Sequence, residues 1–144
     1  MKVLVIQGAN MEFLGRRQPE LYGTTTTAEL DAAMHEEALK YGLTLDIRYT
    51  NLEGEAIGWI YEAERGGTEG LLMNPAGFLY AGYALRDCIK AVSMPYVEVH
   101  MTNIDKRGMH SVLAEVADAL ITGVRVQSYM LGLAAMHHLL TNRG

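Results

Sequence analysis

The chain has 144 residues, 49% of them apolar, and a formal net charge of −5. That length fits a single domain, 1–144, with a real core, and the acidic balance without any basic run excludes nucleic acid as the main partner. One cysteine, Cys88, excludes an intrachain disulfide and a cysteine-based metal centre; no stretch reaches the roughly 18 apolar residues of a membrane span.

Met1-Lys2-Val3 enters a strand with no signal-peptide pattern, so a soluble cytoplasmic protein is expected. Val3–Ile6 is a continuous apolar run, as in a strand buried on both faces. Thr27–Tyr41 reads as a helix with Leu30, Met34, Ala38 and Leu39 inward; Thr26 and Glu29 are spaced for a capping box and Gly42 ends it. Leu43–Tyr49 is a second strand. Glu53–Glu64 is a helix with Ile57, Ile60 and Tyr61 inward, closed by Gly66-Gly67. Gly70–Met73 is a third strand, Tyr83–Val92 a helix carrying Cys88 inside, and Pro95–Val99 a fourth strand. Ala119–Ile121 is a short fifth strand and Gln127–Leu140 a final helix. Strands alternating with helices at this spacing imply a parallel sheet covered on both faces, with right-handed crossovers. Five strands suit an α/β flavodoxin-like three-layer sandwich of order 2-1-3-4-5, which binds ligands at the carboxyl ends of the strands near the β1/β3 switch point.

That architecture selects which residues share a pocket. After the first strand come Asn10 and the stretch Gly15-Arg16-Arg17-Gln18-Pro19-Glu20-Leu21-Tyr22-Gly23. A guanidinium close to a phenol favours the phenolate, so Tyr22 near Arg17 is a candidate general base. After the third strand comes Asn74. At the end of the fourth come Glu98, His100, Met101 and Thr102, and alternation sets Glu98 and His100 on one side of the strand, where a carboxylate orients an imidazole. Asn10, Arg17, Tyr22, Asn74, His100 and Thr102 therefore form one polar rim. It contains no serine elbow, metal triad or phosphate loop. It suits proton abstraction beside a carbonyl with hydrogen bonds to an enolate. Each residue also has a plainer reading: Tyr22 as a loop anchor, Asn10 and Asn74 as turn formers, His100 as a structural histidine. His35, His137 and His138 lie on helices away from the rim and are expected in solvent, and His110 reads either way.

The same residues carry a family resemblance over nearly the whole chain. Gln7-Gly8-Ala9-Asn10-Met11-Glu12-Phe13-Leu14-Gly15-Arg16-Arg17-Gln18-Pro19-Glu20-Leu21-Tyr22-Gly23 resembles the NGPNLNLLGxREPxxYG of type II 3-dehydroquinases. Thr50-Asn51-Leu52-Glu53-Gly54-Glu55 with Trp59-Ile60, Asn74-Pro75 with Ala84-Leu85-Arg86-Asp87, and Pro95–Asn103 resemble the family's SNHEGEL…WI, NPG…ALRD and PxIEVHxSN. The resemblance implies dehydration of a cyclic carboxylated β-hydroxy ketone, 3-dehydroquinate or a close analogue, without metal or organic cofactor. By resemblance Tyr22 is the base, Arg17 its activating cation, Asn10 the holder of a water at the enolate oxygen, and His100 the acid that protonates the departing hydroxyl, with Glu98 behind it. Asn74, Met101, Thr102, Tyr80, Arg107 and Asp87 match substrate-binding positions, Asp87 reaching a neighbouring subunit's site. A homo-oligomer, a trimer-based dodecamer, is implied as well.

The chain also departs from the family. Asn74-Pro75-Ala76-Gly77-Phe78-Leu79-Tyr80-Ala81-Gly82 stands where the family shows NPGAYTHTS, so Tyr80 replaces a histidine and Gly82 a serine. The segment Ile104–Ser111 is shorter than the family's HxRExFRxHS and keeps one arginine, Arg107. These changes fall on contacts to the ring hydroxyls remote from the reacting carbons. They raise two alternatives: a substrate lacking those hydroxyls, or a non-catalytic protein that binds a small acid. An FMN binder fits the fold, but the first loop lacks a phosphate-cradling run.

Overall fold

The computed structural model describes residues 1–143. Five parallel strands, β1 (Lys2–Ala9), β2 (Thr44–Tyr49), β3 (Gly70–Ala76), β4 (Tyr96–His100) and β5 (Ala119–Thr122), stand in the order β2-β1-β3-β4-β5. This is the expected flavodoxin-like order. The chain leaves β1 toward β2 on one side and crosses back to β3 on the other, which opens a crevice at the carboxyl ends of β1 and β3.

Val3, Leu4, Val5 and Ile6 are all buried because both faces of β1 are covered. Helices α2 (Thr27–Leu39) and α5 (Gln127–Thr141) pack one face through Leu30, Met34, Tyr129, Leu133 and Met136. Helices α3 (Glu53–Arg65) and α4 (Tyr83–Ala91) pack the other through Ala56, Ile60, Leu85 and Ile89, with Cys88 inside the same cluster. Thr26 and Glu29 form the expected capping box.

Several boundaries differ from expectation. Helix α2 stops at Leu39, because the chain tightens through Lys40 and Tyr41 and turns at Gly42 with φ 64°. Its buried stripe is Leu30, Met34 and Ala38, spaced by four, and Leu39, one position round the helix, is 77% exposed. Tyr61 likewise turns outward. Strands β3 and β4 run on to Ala76 and His100, so Asn74 and His100 lie within strands and not beyond their ends. Between Gly15 and Gly23 the chain forms one helical turn, α1 (Pro19–Tyr22), where a loop was expected. Proline presets the first helical position, and Gly23, at φ 79°, closes the turn by donating its N–H to the Pro19 carbonyl at 2.8 Å. His137 is half-buried against the Tyr41 ring, at a centroid separation of 5.2 Å, and not solvated as expected.

Candidate active site

The pocket sits at the carboxyl ends of β1, β3 and β4 and holds about 480 Å³, part of it open to solvent. Arg17 and Tyr22 come from the segment after β1, Asn74 from β3, His100 from β4, and Met101, Thr102 and Arg107 from the segment after β4. Tyr80 closes one side with its ring mostly exposed. Eight of the residues singled out in the sequence thus share one wall. The approach of β1 to β3 here is close: a Cβ on Gly8 would collide with the Pro75 carbonyl, so only glycine fits.

Tyr22 is the last residue of α1, and its hydroxyl points to a cation that the sequence had assigned to substrate. Arg107 Nη1 donates to Tyr22 Oη at 3.2 Å and to Thr102 Oγ1 at 2.9 Å. Arg17 instead lies over the face of the Tyr22 ring, 5.1 Å from its centroid, and the Arg107 guanidinium is 5.8 Å from it. Asn103 positions Arg107, since its side-chain oxygen accepts the backbone N–H groups of Asp105 and Lys106 and tightens the turn. Arg125 holds α1 from outside: its guanidinium donates to the Leu21 carbonyl at 2.8 Å and to that of Glu20 at 3.4 Å. Nothing in the local sequence around Arg125 announced that role, which spans more than a hundred positions.

On β4 the expected Glu98–His100 pair is present. His100 Nε2 is 2.6 Å from Glu98 Oε2, and both residues are buried. Glu98 lies behind the histidine and does not line the pocket. Its other oxygen accepts the hydroxyl of Tyr96 at 2.6 Å, a residue the sequence reading passed over. Burial holds the Tyr96 phenol well above its usual range, so it donates.

Asn74 is fixed from three sides. Its Oδ1 accepts the Ala76 N–H at 3.0 Å, its Nδ2 donates to Tyr129 Oη at 2.8 Å, and it lies 3.6 Å from Met11 Sδ. Tyr129 Oη in turn donates to Gln7 Oε1 at 2.7 Å. Gln7 stands between Tyr49 and Asn74 in the sheet register, and Tyr49 donates to Asp31 at 2.7 Å. A row of polar side chains therefore crosses the sheet beneath the pocket. Gln7 and Tyr129 entered it unread, because β1 read as purely apolar and α5 as a covering helix.

Two expected site residues lie elsewhere in the single chain. Asn10, in the left-handed region at φ 74°, borders a neighbouring hollow with Phe13, Arg16 and Arg17, and its N–H donates to Asn51 Oδ1 at 2.8 Å. The reason is local: the left-handed turn after β1 sets the next residue, Met11, against the pocket in its place. Asp87 is exposed on α4, outside the pocket. Ala76, beside Asn74, adopts φ 48° and ψ −125°, a region that glycine enters freely and alanine only with strain. His110 pairs with Glu115 on the surface at 2.8 Å. Among the described residues no three histidine, cysteine or acidic side chains cluster as metal ligands, and no helix is long and apolar enough to cross a membrane.

The arrangement brings a phenol, an imidazole, two guanidinium groups and a carboxamide held by hydrogen bonds to one cavity. A family profile described as "Dehydroquinase class II" matches residues 1–137. A 3-dehydroquinate dehydratase of Variovorax paradoxus is 37% identical over 94% of this chain and 97% of its own. One of Thermus thermophilus is 40% identical over 91% and 90%. The crystal structure of type II dehydroquinase from Propionibacterium acnes superposes with a TM-score of 0.89 at 34% identity, covering 95% of this chain and 96% of that one. With that profile spanning residues 1–137, relatives 37–40% identical over nine-tenths of the chain or more, and the same fold, the chain belongs to the class II dehydroquinase family.

Proposed function

We propose that this protein dehydrates a cyclic carboxylated β-hydroxy ketone through an enolate, with 3-dehydroquinate as substrate. The observation that carries the reading is the convergence of Tyr22, under two arginines, and His100, backed by Glu98, on one cavity. The names of the relatives support the substrate.

In the first step Tyr22 Oη, as phenolate, takes the proton from the carbon beside the ketone, and the electron pair moves onto the ketone oxygen. Arg107 Nη1 donates to the Tyr22 oxygen and Arg17 lies over its ring, so two guanidinium groups border the base. In the second step the enolate re-forms the carbonyl, the carbon–oxygen bond of the hydroxyl breaks, and His100 delivers a proton to the departing oxygen, giving water and a conjugated enone. Asn74, Met101 and Thr102 are assigned to grip the substrate, its carboxylate included. No step calls for a metal or an organic cofactor. Incubation with 3-dehydroquinate, followed by the ultraviolet absorbance of the enone, tests this: activity that Tyr22→Phe removes from a folded protein is expected, and an active Tyr22→Phe protein overturns the assignment.

Part of the lining supports a second reading. Beside its polar groups the pocket is lined by apolar Leu79, Ile104 and Met109 and by the mostly exposed Tyr80. An apolar wall leaves a buried hydroxyl without a partner, at a cost of about 1–3 kcal/mol each. A substrate lacking the remote ring hydroxyls meets no such penalty, and inactivity toward 3-dehydroquinate in a folded protein would point to it. Binding of small acids without turnover of either class would point to a non-catalytic protein.

We also propose a homo-oligomer, a trimer-based dodecamer, in which Asp87 serves a neighbour's pocket. Exposed Tyr83 at 53% beside Asp87 on α4 supports a buried contact there. Sedimentation velocity of the purified protein decides the assembly.

A further inference from the structure

Strand β4 carries three functional groups in alternation. Tyr96, Glu98 and His100 fall on one face of the strand, and all three are buried. Beside Glu98 in the sheet stand Met73 of β3 and Leu120 of β5, and the cluster over it includes Leu85, Cys88 and Leu113. Among the described residues no lysine or arginine pairs with Glu98; its two oxygens are met only by Tyr96 and His100. A buried carboxylate needs a partner for each oxygen. A phenol has one hydrogen, and Tyr96 spends it on Oε1. Oε2 is then the oxygen left to receive a proton from the imidazole, which must come from Nε2. Among the described residues His100 Nδ1 makes no hydrogen bond, so Nδ1 is the nitrogen available to a ligand.

We propose that Tyr96 is a positioning residue for His100: by pinning the Glu98 carboxylate it holds the Nε2 proton inward and presents Nδ1 to the reacting hydroxyl. The inference deepens the dehydratase reading and rests on it for its kinetic consequence. In the acid form both ring nitrogens carry protons. The proton given to the departing oxygen leaves from Nδ1, and the Nε2–H form that remains is the one Glu98 and Tyr96 hold. The other titratable groups nearby do not compete for this role. Burial raises the Cys88 thiol above its usual value and keeps it neutral. Asp118 is occupied by the Tyr96 backbone N–H at 2.8 Å. Arg86 and His110 each pair with Glu115. Arg17, Tyr22, Tyr80 and Arg107 reach the relay only across the pocket.

The experiment compares the full-length protein with Tyr96→Phe by nitrogen-15 spectra of the histidines and by turnover. Neutral His100 is expected as the Nε2–H tautomer in the parent and as a mixture with Nδ1–H in Tyr96→Phe. The kcat is expected to fall about tenfold with KM within about twofold, the scale for removing a partner of a ligand-orienting group. In a Glu98→Gln background, Tyr96→Phe should cost nothing further, since its effect runs through Glu98. An unchanged tautomer in Tyr96→Phe overturns the proposal, as does a full tenfold loss in the Glu98→Gln background. If Tyr96→Phe does not fold, the parent spectrum alone decides, because a neutral His100 protonated on Nδ1 is incompatible with the proposal. If the parent fails to turn over 3-dehydroquinate while the tautomer shift is present, the substrate reading fails and the role of Tyr96 stands.

Discussion

Arg107 Nη1 lies 3.2 Å from Tyr22 Oη, bridging it to Thr102 Oγ1 at 2.9 Å. One guanidinium thereby joins the segment after β4 to the helical turn after β1; it lies 5.8 Å from the centroid of the Tyr22 ring, and Arg17 lies 5.1 Å from it. Removal of Arg107 is expected to damage the chemical step more than substrate binding. Arg107→Ala should lower kcat by about 10²-fold, within the range for a group that acts on a catalytic base. Arg107→Lys keeps the charge but not the planar fork, and should recover part of that loss. Steady-state kinetics on both variants checks this; a change confined to KM would return Arg107 to a purely substrate-binding role.

Tyr129 is buried between Gln7 and Asn74. Tyr129→Phe leaves Asn74 Nδ2 and Gln7 Oε1 without that partner, in a network where Gln7 Nε2 already lacks one. The expected cost is about 1–3 kcal/mol of stability, together with a lower kcat/KM because the Asn74 amide is free to turn. Urea denaturation paired with kinetics reads both effects.

Ala76 holds a conformation suited to glycine. Relief of strain worth about 1–3 kcal/mol outweighs the roughly 0.4–1 kcal/mol of chain entropy that glycine adds to the unfolded state. Ala76→Gly is therefore expected to raise Tm by about 2–4 °C for a chain of this size. Calorimetry settles the sign, and a lower Tm would mean that the alanine methyl packs more than it strains.

Desolvation raises the Asp31 carboxyl above its usual range, an effect larger than the opposing hydrogen bond from Tyr49. A raised folded-state value means that its contribution to stability is fully present below the unfolded value and is lost as pH rises through the folded one. Asp31→Asn can still accept from Tyr49 but does not ionise. The parent should therefore lose stability relative to Asp31→Asn as pH climbs out of the carboxylate range, with the difference level once ionisation is complete. Melting curves of both proteins between acid and neutral pH show whether the gap opens in that direction.

The sequence by itself determined the layered α/β fold, the strand order and most of the pocket. Apolar runs buried on both faces, glycine stops and the capping box at Thr26 are local signals, and the carboxyl-end rule then collects Arg17, Tyr22, Asn74, His100 and Thr102 at one edge. Alternation along β4 was enough to pair Glu98 with His100. It passed over Tyr96 because a tyrosine in a strand reads as a packing residue until its hydroxyl has a partner. Only the tertiary structure decided that Arg107 meets the Tyr22 hydroxyl while Arg17 lies on the ring, that Arg125 clamps α1, and that Gln7 and Tyr129 hold Asn74. Apart from Arg17 on Tyr22, those contacts join residues from 55 to 122 positions apart. Periodicity and spacing describe neighbours along the chain, whereas the direction of a hydrogen bond between distant side chains exists only once the sheet register and helix packing have set them within 3 Å or so of one another.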